Sequence, residues 1–339
     1  MKQFSNAMRN ILWFKEIGIK DVLKVGGKNA SLGEMYNNLV SLGINIPNGF
    51  TVTSEAYFYF LKENNLVDEI EETLKNLDVQ DLKSLQQKGK KIREIMVKAK
   101  LSEDLKKDII KAYLALSEFY NTKNADVAVR SSATAEDLPG ASFAGQQETF
   151  LNISGEENIL QSVKKCFASL FTDRAIVYRQ EMGFSHMRVG LSVGIQKMVR
   201  SDLAASGVMF SCDTESGFGE VVLINAGWGL GENVVQGKID PDQYYVFETT
   251  LKKGFKPIIE KKIGSKEYKM IYNESPRPFG ARLAQRSWAA TKNVKTPLKE
   301  REKFVLSNDE ILTLAKWSIV VEDYYEKPMD VEWAKDGRD

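Results

Sequence analysis

Histidine is almost missing from this chain: His186 is the one imidazole in 339 residues. That removes most Ser-His-Asp, Cys-His and histidine-rich metal mechanisms. Any metal must be held mainly by oxygen, which favours Mg²⁺ or Mn²⁺ over zinc. Cysteine is scarce too, and Cys166 with Cys212 makes neither a disulfide framework nor a four-ligand zinc site. Charge of one sign is not in surplus: 47 Lys and Arg stand against 46 Asp and Glu, a net +1. That balance argues against broad attraction to nucleic acid or an anionic membrane. No apolar run approaches a membrane span. Ile11-Leu-Trp-Phe14 is too short for a secretory core and Lys15-Glu16 interrupts it. A soluble cytoplasmic protein with no nucleic-acid or membrane partner is expected. Ser5-Asn-Ala-Met8 resembles a cloning scar, so residues 1–7 are set aside.

What the chain does have is enough length for about two lobes and one unusual stretch. Asp126-Val-Ala-Val-Arg130 reads as a strand with Val127 and Val129 on one face and Ala128 and Arg130 on the other. From Ser131 to Gln146 follow four alanines, three serines, a threonine and two glycines, with little bulk to fill a core. A loop of this length is usually functional or disordered. An arginine followed by hydroxyls and accessible backbone N–H groups suits a polyphosphate. The same residues also suit a mobile surface loop with Arg130 paired to Glu136 or Asp137.

Elsewhere the pattern mixes helices and strands. Val25-Gly-Gly-Lys28 opens a helix carrying Leu32, Met35, Leu39 and Leu42, with Gly43 placed to end it. Thr53 or Ser54 caps a helix through Leu61. Residues 66–120 are amphipathic and charged, with Ser102 an N-cap between two helices. Residues 156–181 read as one further helix. Segments 189–199, 205–212, 220–226, 243–248 and 257–263 read as strands, and the basic stretch 277–303 as an exposed hairpin. Ser307-Asn-Asp-Glu310 is a capping box for a last helix through about Tyr324.

Several small constellations could carry chemistry. A lysine at a helix start is disfavoured by ~0.3–1 kcal/mol, so Lys28 is explained either by a bound anion or by simple exposure after a turn. The segment is no Walker A loop, since Val22 and Asn29 occupy its glycine and Ser/Thr positions. In Met329-Asp-Val-Glu-Trp333 the carboxylates of Asp330 and Glu332 share one strand face ~7 Å apart. The pair suits either Mg²⁺ with phosphate oxygens or plain solvent. Gly227-Trp-Gly-Leu-Gly231 fails the dinucleotide fingerprint at Val234 and reads better as a turn close to a ligand or another backbone. An NAD-dependent oxidoreductase is correspondingly disfavoured. His186, between a helix and a strand, reads as structural or surface.

Taken in order, residues 26–35, 129–152, 193–202 with 206–210, 229–242 and 328–333 resemble the N-terminal nucleotide-binding portion of the phosphoenolpyruvate synthase and pyruvate phosphate dikinase group. The wording of the Lys28 and Arg130 segments leans toward the synthases. The resemblance implies an α+β, two-lobed ATP-grasp module with mixed or antiparallel sheets and packed helices. Its first lobe would cover 8–196, with the lysine motif, the helical segment 66–120 and the phosphate loop 130–149. Its second would cover 197–339, with a hinge near 196–199 and the acidic strand 329–333.

Carried over position by position, Lys28 and Arg130 are implied as the catalytic cations on the ATP phosphates. Gly145 and Thr149 are implied as nucleotide contacts, and so is Gln196. Met198 and Val199 would lie beside the nucleotide at the hinge. Asp330 and Glu332 would hold the metal, Glu332 also touching the nucleotide. The implied cofactors are ATP and Mg²⁺. The implied reaction converts ATP, pyruvate and water into AMP, phosphoenolpyruvate and phosphate through a phosphohistidine. The swivelling phosphohistidine domain and the pyruvate-binding barrel are expected partners in the complete protein. This sequence holds no Gly-Gly-x-x-Ser-His acceptor and ends before a family strand bearing glutamine and arginine, so this stretch alone is not expected to complete turnover. The alternatives are a stand-alone nucleotide-binding module and the ATP-binding part of a related dikinase or antibiotic phosphotransferase.

Overall fold

A computed structural model describes residues 9–134, 148–273 and 291–337. The chain divides into two compact units, Met1–Met198 and Val199–Asp339.

The first unit is built on β1 (Ile11–Trp13), α1 (Val22–Leu39), β2 (Gly49–Val52), α2 (Ser54–Glu63), α3 (Leu66–Leu74), α4 (Leu82–Lys98) and α5 (Glu103–Phe119). It continues with β3 (Val127–Ala133), β4 (Thr149–Ile153), α6 (Glu156–Ser169), α7 (Asp173–Glu181) and β5 (Leu191–Lys197). Its sheet runs β1-β2-β5-β3-β4, every neighbouring pair antiparallel. Val127, Val129, Val193, Ile195, Phe50 and Val52 point to one face, where they join the large core with α2 to α6. Across the other face lies α1, whose Val25 and Ala30 pack with Leu12, Phe14 and Ile17.

The second unit contains β6 (Ala205–Phe210), β7 (Val221–Trp228), α8 (Glu232–Val235), β8 (Asp242–Phe247), α9 (Glu248–Lys252) and β9 (Ile258–Lys262). After these come β10 (Tyr268–Tyr272), β11 (Thr291–Lys295), α10 (Leu298–Arg301), α11 (Asn308–Tyr325) and β12 (Asp330–Lys335). The order β12-β6-β7-β8-β9 is again antiparallel throughout, and β10 and β11 form a separate antiparallel pair. Met209, Ile224, Tyr244, Ala226 and Trp333 pack with α11 on one face. An antiparallel α+β architecture in two units is thus what the alternating patterns produce.

Local signals explain most boundaries. Thr53 accepts the Ala56 N–H at 3.2 Å to start α2. Ser307 and Glu310 complete the capping box that starts α11. Gly43 ends the first helical stretch in the left-handed region at φ 88°. Two expectations need correction. The stretch 156–181 is two helices, because Thr172 accepts the Ala175 N–H and starts a new one. Arg93 also holds the Phe171 carbonyl, at 2.6 Å, just before it. Of the Leu32, Met35, Leu39 and Leu42 stripe only Leu39 is fully buried; Gly26, Asn29, Ala30 and Gly33 are buried beside it, whereas Leu42, just past α1, is 55% exposed. Small residues let this helix lie close to its neighbours: a Cβ on Gly33 would collide with the Ile17 backbone.

Candidate functional site

Strand register lines up part of the expected site. Leu12 pairs with Thr51, Thr51 with Gly194, Gly194 with Arg130, and Arg130 with Thr149, one row across the first unit's sheet. Directly paired residues project to the same face, and here it is the face that carries α1. Arg130 and Thr149 are therefore neighbours on that face, Thr149 exposed on the edge strand, while Val129 goes to the core as its alternation requires. Arg130 is half-buried and, among the described residues, makes no ion pair.

A break in α1 lies two residues before Lys28. Gly26 has φ 72° and ψ 163°, so the regular helix effectively begins after it. Only glycine suits that site: the conformation is left-handed, and a Cβ would strike Ser132. Ser132 is two residues beyond Arg130 on the same strand face. The turn that carries half-buried Lys28 is thus seated through Gly26 on the sheet face that bears Arg130.

A polar clamp fixes this turn. Buried Asn29 donates from Nδ2 to Ser192 Oγ at 2.8 Å, and Ser192 Oγ donates to the Val25 carbonyl. A side chain at Gly194 would collide with Asn29. The sequence reading missed this pair, because Ser192 lies far along the chain from Asn29 and only the sheet register joins them.

The hydroxyls expected to hold phosphate have other work at the ends of the 130–149 segment. Ser131 Oγ accepts the Glu148 N–H at 3.0 Å, Thr134 Oγ1 accepts the Gly190 N–H at 3.0 Å, and Ser132 is buried beneath Gly26. These contacts fasten β3 to β4 and to the start of β5. Gly145, Glu136 and Asp137 lie outside the described residues.

Gln196 shares the Arg130 face but donates from Nε2 to the Pro47 carbonyl at 3.1 Å. Met198 donates its N–H to the Asp126 carbonyl at 2.9 Å, and its own carbonyl accepts Lys197 at 2.6 Å. Val199 begins the second unit.

In the second unit Asp330 and Glu332 are exposed on one face of the edge strand β12, opposite Phe210 and Val208 of β6. Trp333 is buried on the other face. Glu332 stands in a row with Val208, Asn225 and Gln243. Among the described residues neither carboxylate has an ion-pair partner, and no group of three His, Cys, Asp or Glu side chains converges. Two free carboxylates without nitrogen or sulfur donors suit a hard cation that keeps water or phosphate oxygens as its remaining ligands.

Three further motifs resolve structurally. Gly229 has φ 83° and no room for a Cβ against the Met270 backbone, so the 227–231 turn approaches another strand. His186 accepts Arg179 Nε at 3.1 Å. Burial, together with the Arg179 charge, lowers this imidazole to about 4. Arg179 is itself fully buried, over the Phe171 ring at 5.3 Å. The single histidine is thus committed to packing. Among the described residues no helix is long and apolar enough to cross a membrane.

Comparison with known proteins gives the family. Residues 22–339 match the family described as pyruvate phosphate dikinase, AMP/ATP-binding domain. The phosphoenolpyruvate synthase of Aquifex aeolicus is 54% identical over 333 residues, 96% of this chain and 38% of that protein. Its counterpart in Synechocystis is 52% identical over 97% of this chain and 40% of its own length. That of Escherichia coli is 47% identical over 96% and 40%. The chain spans about two fifths of the curated relatives it matches. With a match over nearly its whole length, this chain belongs to the pyruvate phosphate dikinase AMP/ATP-binding domain family.

Proposed function

We propose that the chain binds Mg²⁺-ATP and serves as the nucleotide-binding portion of a pyruvate, water dikinase. The observation that supports this reading is that the turn around Lys28 is seated, through Gly26 on Ser132 and Asn29 on Gly194, on the sheet face that bears Arg130 and Thr149. Lys28 and Arg130 grip the phosphates and offset the charge that develops as a phosphoryl group leaves. Thr149 adds a hydroxyl beside Arg130, Gly145 a backbone contact, and Gln196 with Met198 and Val199 a polar edge for adenine. Asp330 and Glu332 hold Mg²⁺, and Glu332 also contacts the nucleotide. Bound Mg²⁺ neutralises charge on the phosphate oxygens.

In the complete enzyme the reaction is ATP, pyruvate and water to AMP, phosphoenolpyruvate and phosphate. A phosphohistidine domain and a pyruvate-binding barrel supply the remaining steps. Support for this wider role is the synthase identity of the relatives; His186, tied to Arg179, does not suit the acceptor. Calorimetric titration with Mg²⁺-ATP is the test. Because a charge-assisted contact contributes roughly 1.5–3 kcal/mol, Lys28→Ala and Arg130→Ala should each weaken binding on the order of ten- to a hundredfold. Unchanged affinity in both variants contradicts the assignment.

A further inference from the structure

The polar clamp around the Lys28 turn is built in a way that stability alone does not explain. Asn29, Ser132 and Ser192 are all fully buried, and among the described residues Asn29 Oδ1 and Ser132 Oγ have no hydrogen-bond partner. Leaving a buried polar atom unpaired is destabilising, so apolar residues of similar size would pack this joint at less cost. What the polar residues provide is position. One hydroxyl, Ser192 Oγ, accepts from the Asn29 side chain and donates to the Val25 carbonyl. It therefore touches the turn on both sides of Lys28. Ser192 pairs with Ser132, under Gly26, and Gly194 pairs with Arg130, under Asn29. Each end of the turn is seated on a specific position of the sheet, and the second seat is the Arg130 row itself.

We infer that Ser192 and Asn29 are positioning residues, holding the 25–29 turn so that Lys28 and Arg130 meet the same phosphate chain. The inference rests on the ATP-binding reading above. Neither residue touches the nucleotide. Their effect is transmitted through Lys28, whose ammonium is useful only where the turn places it.

A mutant cycle on the full chain tests this, with Mg²⁺-ATP affinity by calorimetry for wild type, Lys28→Ala, Ser192→Ala and the double variant. Ser192→Ala removes one oxygen and is the least disruptive change; Asn29→Ala, measured alongside, breaks the clamp from its other side. Thermal unfolding confirms that each variant is folded. Ser192→Ala is expected to weaken ATP binding on the order of tenfold, and the double variant to bind no more weakly than Lys28→Ala alone. Wild-type affinity in both Ser192→Ala and Asn29→Ala, with Lys28→Ala still weakened, overturns the inference and leaves ATP binding standing. A Ser192→Ala loss that adds in full to the Lys28→Ala loss also overturns it, because a general disturbance acts independently of Lys28. No effect of Lys28→Ala itself removes the underlying reading and the inference together.

Discussion

The two units bury polar networks in opposite relation to their expected functional residues. In the first, the Asn29–Ser192 clamp lies on the same sheet face as Arg130, and Asn29 directly follows Lys28 in the chain. In the second, the buried network centres on Asp242, which accepts the Gly264 N–H at 2.8 Å, the Val305 N–H at 2.7 Å and the Tyr244 hydroxyl at 3.1 Å. It also pairs with Lys266, and both side chains are wholly buried. Register places Asp242 in the row of Ala226, Gly207 and Trp333, the core face, opposite to Asp330 and Glu332. On the proposed assignment, the first unit sets its buried network on the face proposed for phosphate, whereas the second keeps its buried network on the face opposite the proposed metal carboxylates.

The largest effect that separates the two belongs to the second unit. Lys266→Met leaves the Asp242 carboxylate buried without its cation, which costs about 3–5 kcal/mol. Urea unfolding of this unit should move to much lower denaturant while folded protein keeps its Mg²⁺-ATP affinity. A large loss of affinity in folded Lys266→Met would break the separation. In the first unit the order reverses. Lys28→Ala should hardly change unfolding, because a half-buried lysine contributes little packing, yet weaken ATP on the scale given above.

A subtler contrast comes from pH. The His186 imidazole is held down to about 4 from its ordinary 6.5, by burial first and the Arg179 charge second. The folded value lies below the unfolded one, so the unfolded chain takes up the proton first as pH falls. The associated stability is complete above about pH 6.5 and drains away toward pH 4. Denaturation at pH 7 and pH 5 should show a smaller acid loss in His186→Gln than in wild type; equal losses contradict the placement. Smallest are the helix caps. Thr53→Ala and Ser307→Ala should each cost about 1 kcal/mol, one per unit, without altering nucleotide affinity.

Much of this was legible in local sequence. The alternation of Val127, Val129 and Arg130 gave the face on which Arg130 stands, and Asp330, Glu332 and Trp333 separated likewise. Gly43, Thr53 and the 307–310 capping box marked boundaries through contacts within a few residues. The rest depends on distant partners. The break in α1 needs Ser132 and Ser192, and the small buried side of that helix reflects close approach to Ile17 and the sheet, which apolar periodicity does not encode. The division of 156–181 depends on Arg93 holding the Phe171 carbonyl. Hydroxyls near Arg130 looked suited to phosphate, yet Ser131 and Thr134 close the backbone instead. Composition cannot distinguish those uses.

Magnesium dependence tests the division of labour most directly. ATP affinity is measured with and without Mg²⁺ in wild type, Lys28→Ala and Glu332→Ala. If the cations of the first unit grip phosphate and the carboxylates of the second hold the metal, Lys28→Ala binds more weakly but keeps the Mg²⁺ enhancement. Glu332→Ala then loses most of that enhancement. An enhancement that survives intact in Glu332→Ala, or disappears in Lys28→Ala, contradicts the account.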